Sequence, residues 1–175
     1  MNPLKQYRIG FVGLSTGKHH FSFDIGPDFF LLLGDAAYET GQVVLKLDLV
    51  KGNNMMELYF HFSGEVQLQC DRCLESYAHT VDLQKKLLVK FGEQYSEQSD
   101  EIIIIPQLES HIDISQFIYE FIHLGMPVKR VHQGEGQAAG CDPEVIKKLG
   151  QYLNKQQEAD DDSPWNVLKS LKFNT

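Results

Sequence analysis

Three things are scarce in this 175-residue chain, and each scarcity excludes something. Long apolar runs are missing. No stretch reaches the roughly 18 apolar residues of a membrane span, and the longer runs, such as Ile102 to Ile105, are strand-sized. The N-terminus has no charged lead followed by an apolar segment, so no signal peptide is expected. Cysteine is scarce and odd in number, with only three residues. Two of them, Cys70 and Cys73, make a poor disulfide framework and a better metal or thiol pattern for a reducing compartment. A cytoplasmic protein is therefore expected. Basic residues are outnumbered, sixteen Lys and Arg against twenty-four Asp and Glu, for a formal net charge of -8. That balance argues against broad charge-driven binding to nucleic acid, which needs a Lys/Arg footprint. It permits a local basic site, or a basic protein partner steered by complementary charge. The chain also lacks a phosphate-loop glycine pattern, a dinucleotide fingerprint and a defensible Ser/His/Asp order. Neither an enzyme activity nor a small-molecule substrate is expected.

What is present describes a folded domain. Hydrophobic residues make up 42% of the chain, with eleven Phe and seven Tyr, enough for a real core. A chain this long buries roughly 70% of its unfolded surface and needs no staple. Tyr7 to Val12 and His20 to Ile25, joined by the turn signal Gly13 to Gly17, read as an opening hairpin. Asp28 is placed to cap a short helix over Phe29 to Tyr38. Val43, Leu45, Leu47 and Leu49 recur at period two, as do Met56, Leu58, Phe60 and Phe62, with Gly52-Asn53-Asn54 as the turn between. A third strand carries Val66, Leu68 and Cys70, and a long one runs from about Tyr77 to Phe91. Short connections predict an antiparallel meander. Gly92 to Glu101 reads as an acidic loop, and Ile102 to Ile105 as a short buried strand ended by Pro106. A helix from Asp113 to Gly125 and another from Asp142-Pro143-Glu144 to Gln157 follow. Ser163-Pro164-Trp165 starts a last short helix, whose Trp165 either docks back or anchors a partner.

The fold class is thus α+β: an antiparallel β-rich meander or barrel-like sheet followed by C-terminal helices. Residues 1–157 are expected to form one β-rich domain with a zinc-knuckle-like turn at 70–73. Residues 158–175 follow as an acidic linker and short helix.

Two thiolates at Cys-x-x-Cys spacing in a tight turn can face one metal ion. Arg72 beside them helps to lower their pKa values. A structural zinc takes four ligands. Cys141 is the remaining cysteine and His132 the best fourth candidate, with His123 and His79 behind it. Two other readings stay open: reduced, ligand-free thiols that pin a hairpin turn, or a redox-responsive pair. A thioredoxin-like site expects the pair at a helix start beside a βαβ pattern, whereas this one lies between antiparallel strands.

The run Gly64-Glu65-Val66-Gln67-Leu68-Gln69-Cys70-Asp71-Arg72-Cys73-Leu74-Glu75-Ser76-Tyr77 resembles the signature of the YceD family: a Gly-led strand, Cys-x-Arg-Cys-Leu, then an aromatic. Ile118-Tyr119-Glu120 and Pro127 resemble its second half. The resemblance covers about residues 40–150. It implies a bacterial or plastid protein needed for accumulation or processing of large-subunit (23S) ribosomal RNA, not an enzyme, with the RNA or a basic ribosomal protein as partner. Many members carry a further Cys-rich segment toward the C-terminus. Here that region holds His132 and Cys141.

Arg72, Lys129 and Arg130 are the candidate contacts to RNA or a partner, although a turn arginine is more often paired with a neighbour such as Glu75 or Asp71. Lys85, Lys86 and Lys90 with Phe91 suggest a basic, aromatic face, against the plainer reading of a solvated strand. Glu120 and His123 lie one helical turn apart and read as a surface pair. Phe117 and Phe121 read as core. Glu158 to Asp162 reads as a solvated linker, or less simply as bait for a basic ribosomal protein.

Overall fold

The computed structural model describes residues 3–33, 40–132 and 140–159. They form two compact units, one of Met1–Gln69 with Ser76–Val128, the other of Cys70–Glu75 with Lys129–Thr175. The expected Gly34 to Tyr38 part of the first helix and the segment beyond Ala159, including Trp165, lie outside the described residues. No helix among those described is long and apolar enough to cross a membrane.

The first unit is built on a six-stranded open sheet. β1 (Arg8–Gly10), β2 (Gly17–Ile25), α1 (Pro27–Leu33), β3 (Thr40–Lys51), β4 (Met55–Gln69), β5 (Ser76–Gly92), β6 (Ser96–Ser99), β7 (Ile102–Pro106), β8 (His111–Asp113) and α2 (Ser115–Leu124) follow in chain order. The sheet order is β2-β3-β4-β5-β7-β6, with β1 and β8 in a separate pair. β2 to β5 form the expected antiparallel meander, because each strand presents an apolar face at period two. Register opposes Leu45 to Phe62, Leu47 to Phe60 and Leu49 to Leu58. All six of these side chains are buried to within 1% of complete. Helix α2 closes this face with Ile118, Phe121 and Ile122, and Phe121 meets Phe60 edge-on at 5.2 Å between ring centres. The helix begins at Ser115 and its N-cap is Ile114, one residue after the expected Asp113, whose Oδ1 accepts the Ser115 N–H at 3.0 Å.

Four expectations are corrected. The opening hairpin does not form. β1 pairs with β8, while β2 pairs with β3 over nine positions, a far longer ladder than the short β1 could offer. The chain from Met56 to Cys70 is not two strands, because β4 runs unbroken over fifteen residues. Gly92 to Glu101 is not all loop. It contains β6, whose four residues are all exposed. An edge strand with neither face in the core carries no hydrophobic alternation to reveal it. The sheet is not wholly antiparallel either, since β7 returns between β5 and β6 and runs parallel to β5.

Gly64 explains the unbroken β4. It pairs with Val43 at φ 156°, and a Cβ there would press on the Gln42 carbonyl oxygen and stand 2.7 Å from Val43 Cα. Both obstacles are backbone, so no side-chain rearrangement relieves them. Gly64→Ala is expected to lower unfolding free energy by about 1–3 kcal/mol, read from the denaturant midpoint. Gly150→Ala, with open space around its Cβ, should be neutral or stabilising.

The second unit has one long described element, α3 (Pro143–Ala159). Asp142 begins it as the sequence predicts, its Oδ1 accepting the Glu144 N–H at 2.8 Å, with Pro143 in the first turn where its missing N–H costs nothing.

Candidate metal centre

The second unit gathers residues from two distant stretches of chain. Cys70 to Glu75 is a tight turn. The Cys70 carbonyl accepts the Leu74 N–H at 2.9 Å, and the Cys70 N–H donates to the Glu75 carbonyl at 2.9 Å. Leu74 closes the turn at φ 63°, a left-handed conformation that costs an L-residue of this size roughly 1 kcal/mol or more. The turn is tied to the 129–132 segment through Asp71. Its N–H donates to the Arg130 carbonyl at 2.7 Å, and its Oδ2 accepts the Arg130 N–H at 2.7 Å. His132 follows two residues later. Gly140 lies at φ 77°, where a Cβ would stand 2.9 Å from His132 Cβ. Only glycine lets the chain come that close to the histidine. Cys141 is next, held from its other side by the Asp142 cap of α3.

These constraints bring Cys70, Cys73, His132 and Cys141 together, with their ligand atoms all within 4.8 Å of one another. Cys70 Sγ lies 3.7 Å from Cys141 Sγ. His132 Nδ1 lies 3.5 Å from Cys73 Sγ and 3.5 Å from Cys141 Sγ. Four ligands arranged tetrahedrally about zinc at usual bond lengths stand about 3.8 Å apart sulfur to sulfur and about 3.5 Å apart sulfur to nitrogen. The donor set and its spacing therefore suit one tetrahedral cation. The three cysteines are buried and in no disulfide. Burial pushes the Cys70 thiol up, but the backbone N–H groups of Cys73, Arg72 and His132 outweigh it and bring Cys70 down to about 6. Cys141 is pushed up to about 11 by burial and by Cys70 and Cys73. Backbone donors aimed at a sulfur favour the thiolate that a metal needs.

His79 lies on β5 and His123 on α2, and neither belongs to this group. Arg72 is half-buried on the turn between the two thiols, and Lys129 and Arg130 lie on the segment that Asp71 holds. All three candidate contacts therefore stand within three residues of a member of the group. Lys85, Lys86 and Lys90 do not share a face. A strand turns successive side chains to opposite sides, so Lys85 and Phe91 point one way and Lys86 and Lys90 the other. Lys86 pairs with Glu57 at 2.7 Å over the Tyr59 ring, which suits the solvated-strand reading. Neither Asp71 nor Gly140 stands out as a site residue in the sequence. An Asp that opens a turn, binding backbone through its short side chain, was the available signal for the first.

Asp71→Ala should leave the Arg130 N–H without its carboxylate and cost about 1 kcal/mol, seen as faster hydrogen exchange of that amide. Asp71→Asn, which keeps the acceptor, should exchange nearly as slowly as the parent.

Residues 58–172 match the family described as "Large ribosomal RNA subunit accumulation protein YceD". No curated protein and no solved structure matches the chain. The matched span takes in β4 from Leu58 onward, the Cys70 turn, His132 and Cys141.

Proposed function

The chain belongs to the YceD family, and from that premise we propose that it is a non-enzymatic ribosome-biogenesis factor supporting accumulation or processing of large-subunit (23S) ribosomal RNA. The carrying observation is the family match over the whole stretch that builds the cysteine–histidine group. In this reading the protein works in a bacterial cytoplasm, through the ribosomal RNA or a basic ribosomal protein.

Cys70, Cys73, His132 and Cys141 hold Zn2+ as a structural ion. Three sulfurs and one nitrogen form a closed set with no position left for a substrate, which supports a scaffold over a catalyst. Cys70 and Cys73 with His132 would hold the ion between the Cys70 turn and the 129–132 segment, a link that a small unit with one long helix would gain from. Arg72, Lys129 and Arg130, carried by those two stretches, supply the positive charge of the contact with RNA phosphate or partner carboxylate. Three cations make a modest footprint on a chain of net charge -8, so the contact is local and its salt dependence shallow.

Protein purified without added zinc should carry about one zinc per chain. Cys73→Ser or Cys141→Ser should lose most of it, and a chelator should unfold the second unit while the sheet persists by circular dichroism. Stoichiometric zinc in Cys73→Ser would remove this ligand set. Deleting the gene should lower the ratio of large- to small-subunit RNA. The triple variant Arg72→Glu, Lys129→Glu, Arg130→Glu should fail to restore it while keeping its zinc. An unchanged ratio with unchanged precursor ends on deletion would sink the ribosomal reading and leave a zinc-bound protein-interaction module.

A further inference from the structure

The charge of this chain is unevenly distributed. Between Phe91 and Val128 there are seven carboxylates and no lysine or arginine. That stretch builds β6, β7, β8 and α2, and it encloses a groove. Two depressions of about 530 and 490 Å3 share Glu97, Ile103, Phe117 and Glu120 in their walls, so they lie side by side. The floor is apolar, from Ile103 and Phe117, and it runs out to Leu124 and Tyr95, which are 68% and 55% exposed. The rim is acidic, with Glu97 and Asp100 on the β6 side, Glu120 on α2 and Glu109 ahead of β8. Arg8, Asp113, His111 and His123 also line the walls, and Arg8 is paired with Asp113 at 3.2 Å. The local field remains negative enough that burial, Glu97 and Glu120 together push the Tyr95 hydroxyl up to about 12.

We infer that this groove docks a lysine- or arginine-rich segment of a partner protein whose apolar side chains lie on Phe117, Leu124 and Tyr95 while its cations meet the rim. Charge complementarity selects this occupant. RNA is repelled by a rim of carboxylates. A second copy of the chain would bring the same acidic edge against itself, and β6 is short, exposed and irregular in register at Glu97/Ser99, features that discourage strand-to-strand pairing. A small cation would leave the apolar floor uncovered. The inference deepens the ribosome-assembly reading by naming a basic protein partner, and it rests on that reading only for the setting in which such a partner is met.

The test uses the full chain and a short synthetic peptide of alternating lysine and valine, with a glutamate-for-lysine peptide as control, followed by fluorescence anisotropy over a salt series. The lysine peptide should bind and the glutamate peptide should not. Glu97→Lys with Glu120→Lys should weaken binding about tenfold or more. Glu65→Lys with Asp82→Lys, the same change in net charge on the opposite sheet face, should weaken it far less. Leu124→Ser, at an exposed position, should weaken binding without changing its salt slope. Equal loss in the two charge-reversed chains, unchanged affinity in the groove variant, or self-association that competes with the peptide would each overturn the proposal. Groove-dependent binding with a normal ribosomal RNA ratio on gene deletion would uphold the groove and discard its ribosomal setting.

Discussion

Three buried cysteine sulfurs and one imidazole nitrogen within 4.8 Å of one another form the constraint on which the second unit depends. Groups of this kind do not gather without cause. Burial and the neighbouring Cys70 and Cys73 raise the Cys141 thiol, whereas backbone N–H groups lower Cys70 against its own burial. A single cation at the centre would satisfy all four donors at once. The left-handed Leu74, the reciprocal Asp71–Arg130 bonds, Gly140 against His132 and the Asp142 cap all serve the same end. Each removes freedom from one ligand-bearing stretch, so that the centre is shaped by backbone as much as by the ligands themselves.

The sheet depends on a different constraint, the alternation of side chains along β3, β4 and β5. It survives over fifteen residues of β4 because Gly64 admits the Gln42–Val43 backbone at a distance no side chain tolerates. A larger residue at 64 would force a bulge, and a bulge shifts every following side chain to the other face.

Function follows from how charge is distributed across this architecture. Basic residues stand beside the cysteine–histidine group, at Arg72, Lys129 and Arg130, whereas the stretch from β6 to α2 is acidic without interruption by lysine or arginine. A net charge of -8 hides that division. Under the ribosome-assembly proposal, a basic protein would meet the acidic stretch and RNA the basic residues, each by ordinary complementarity.

The sequence by itself determined the apolar alternation along β3, β4 and β5, the start of α3 at Asp142-Pro143, the family and the paired thiols of Cys70 and Cys73. All of these are written in short-range pattern: period-two alternation, a capping residue, or a spacing of three. It also nominated His132 and Cys141, by elimination among few candidates and not by any local signal. Only the tertiary structure decided that their donor atoms converge with those of Cys70 and Cys73, because the two halves are separated by about sixty residues and meet through backbone bonds that no pattern announces. It decided likewise that β1 pairs with β8, that β6 is a strand and that β7 runs parallel to β5. β1 and β8 are about a hundred residues apart, β6 is exposed on both faces, and the direction in which β7 runs beside β5 is something hydrophobic periodicity does not encode. The Cys-x-x-Cys turn was therefore legible from the start, but its completion by a second stretch of chain was a matter of fold.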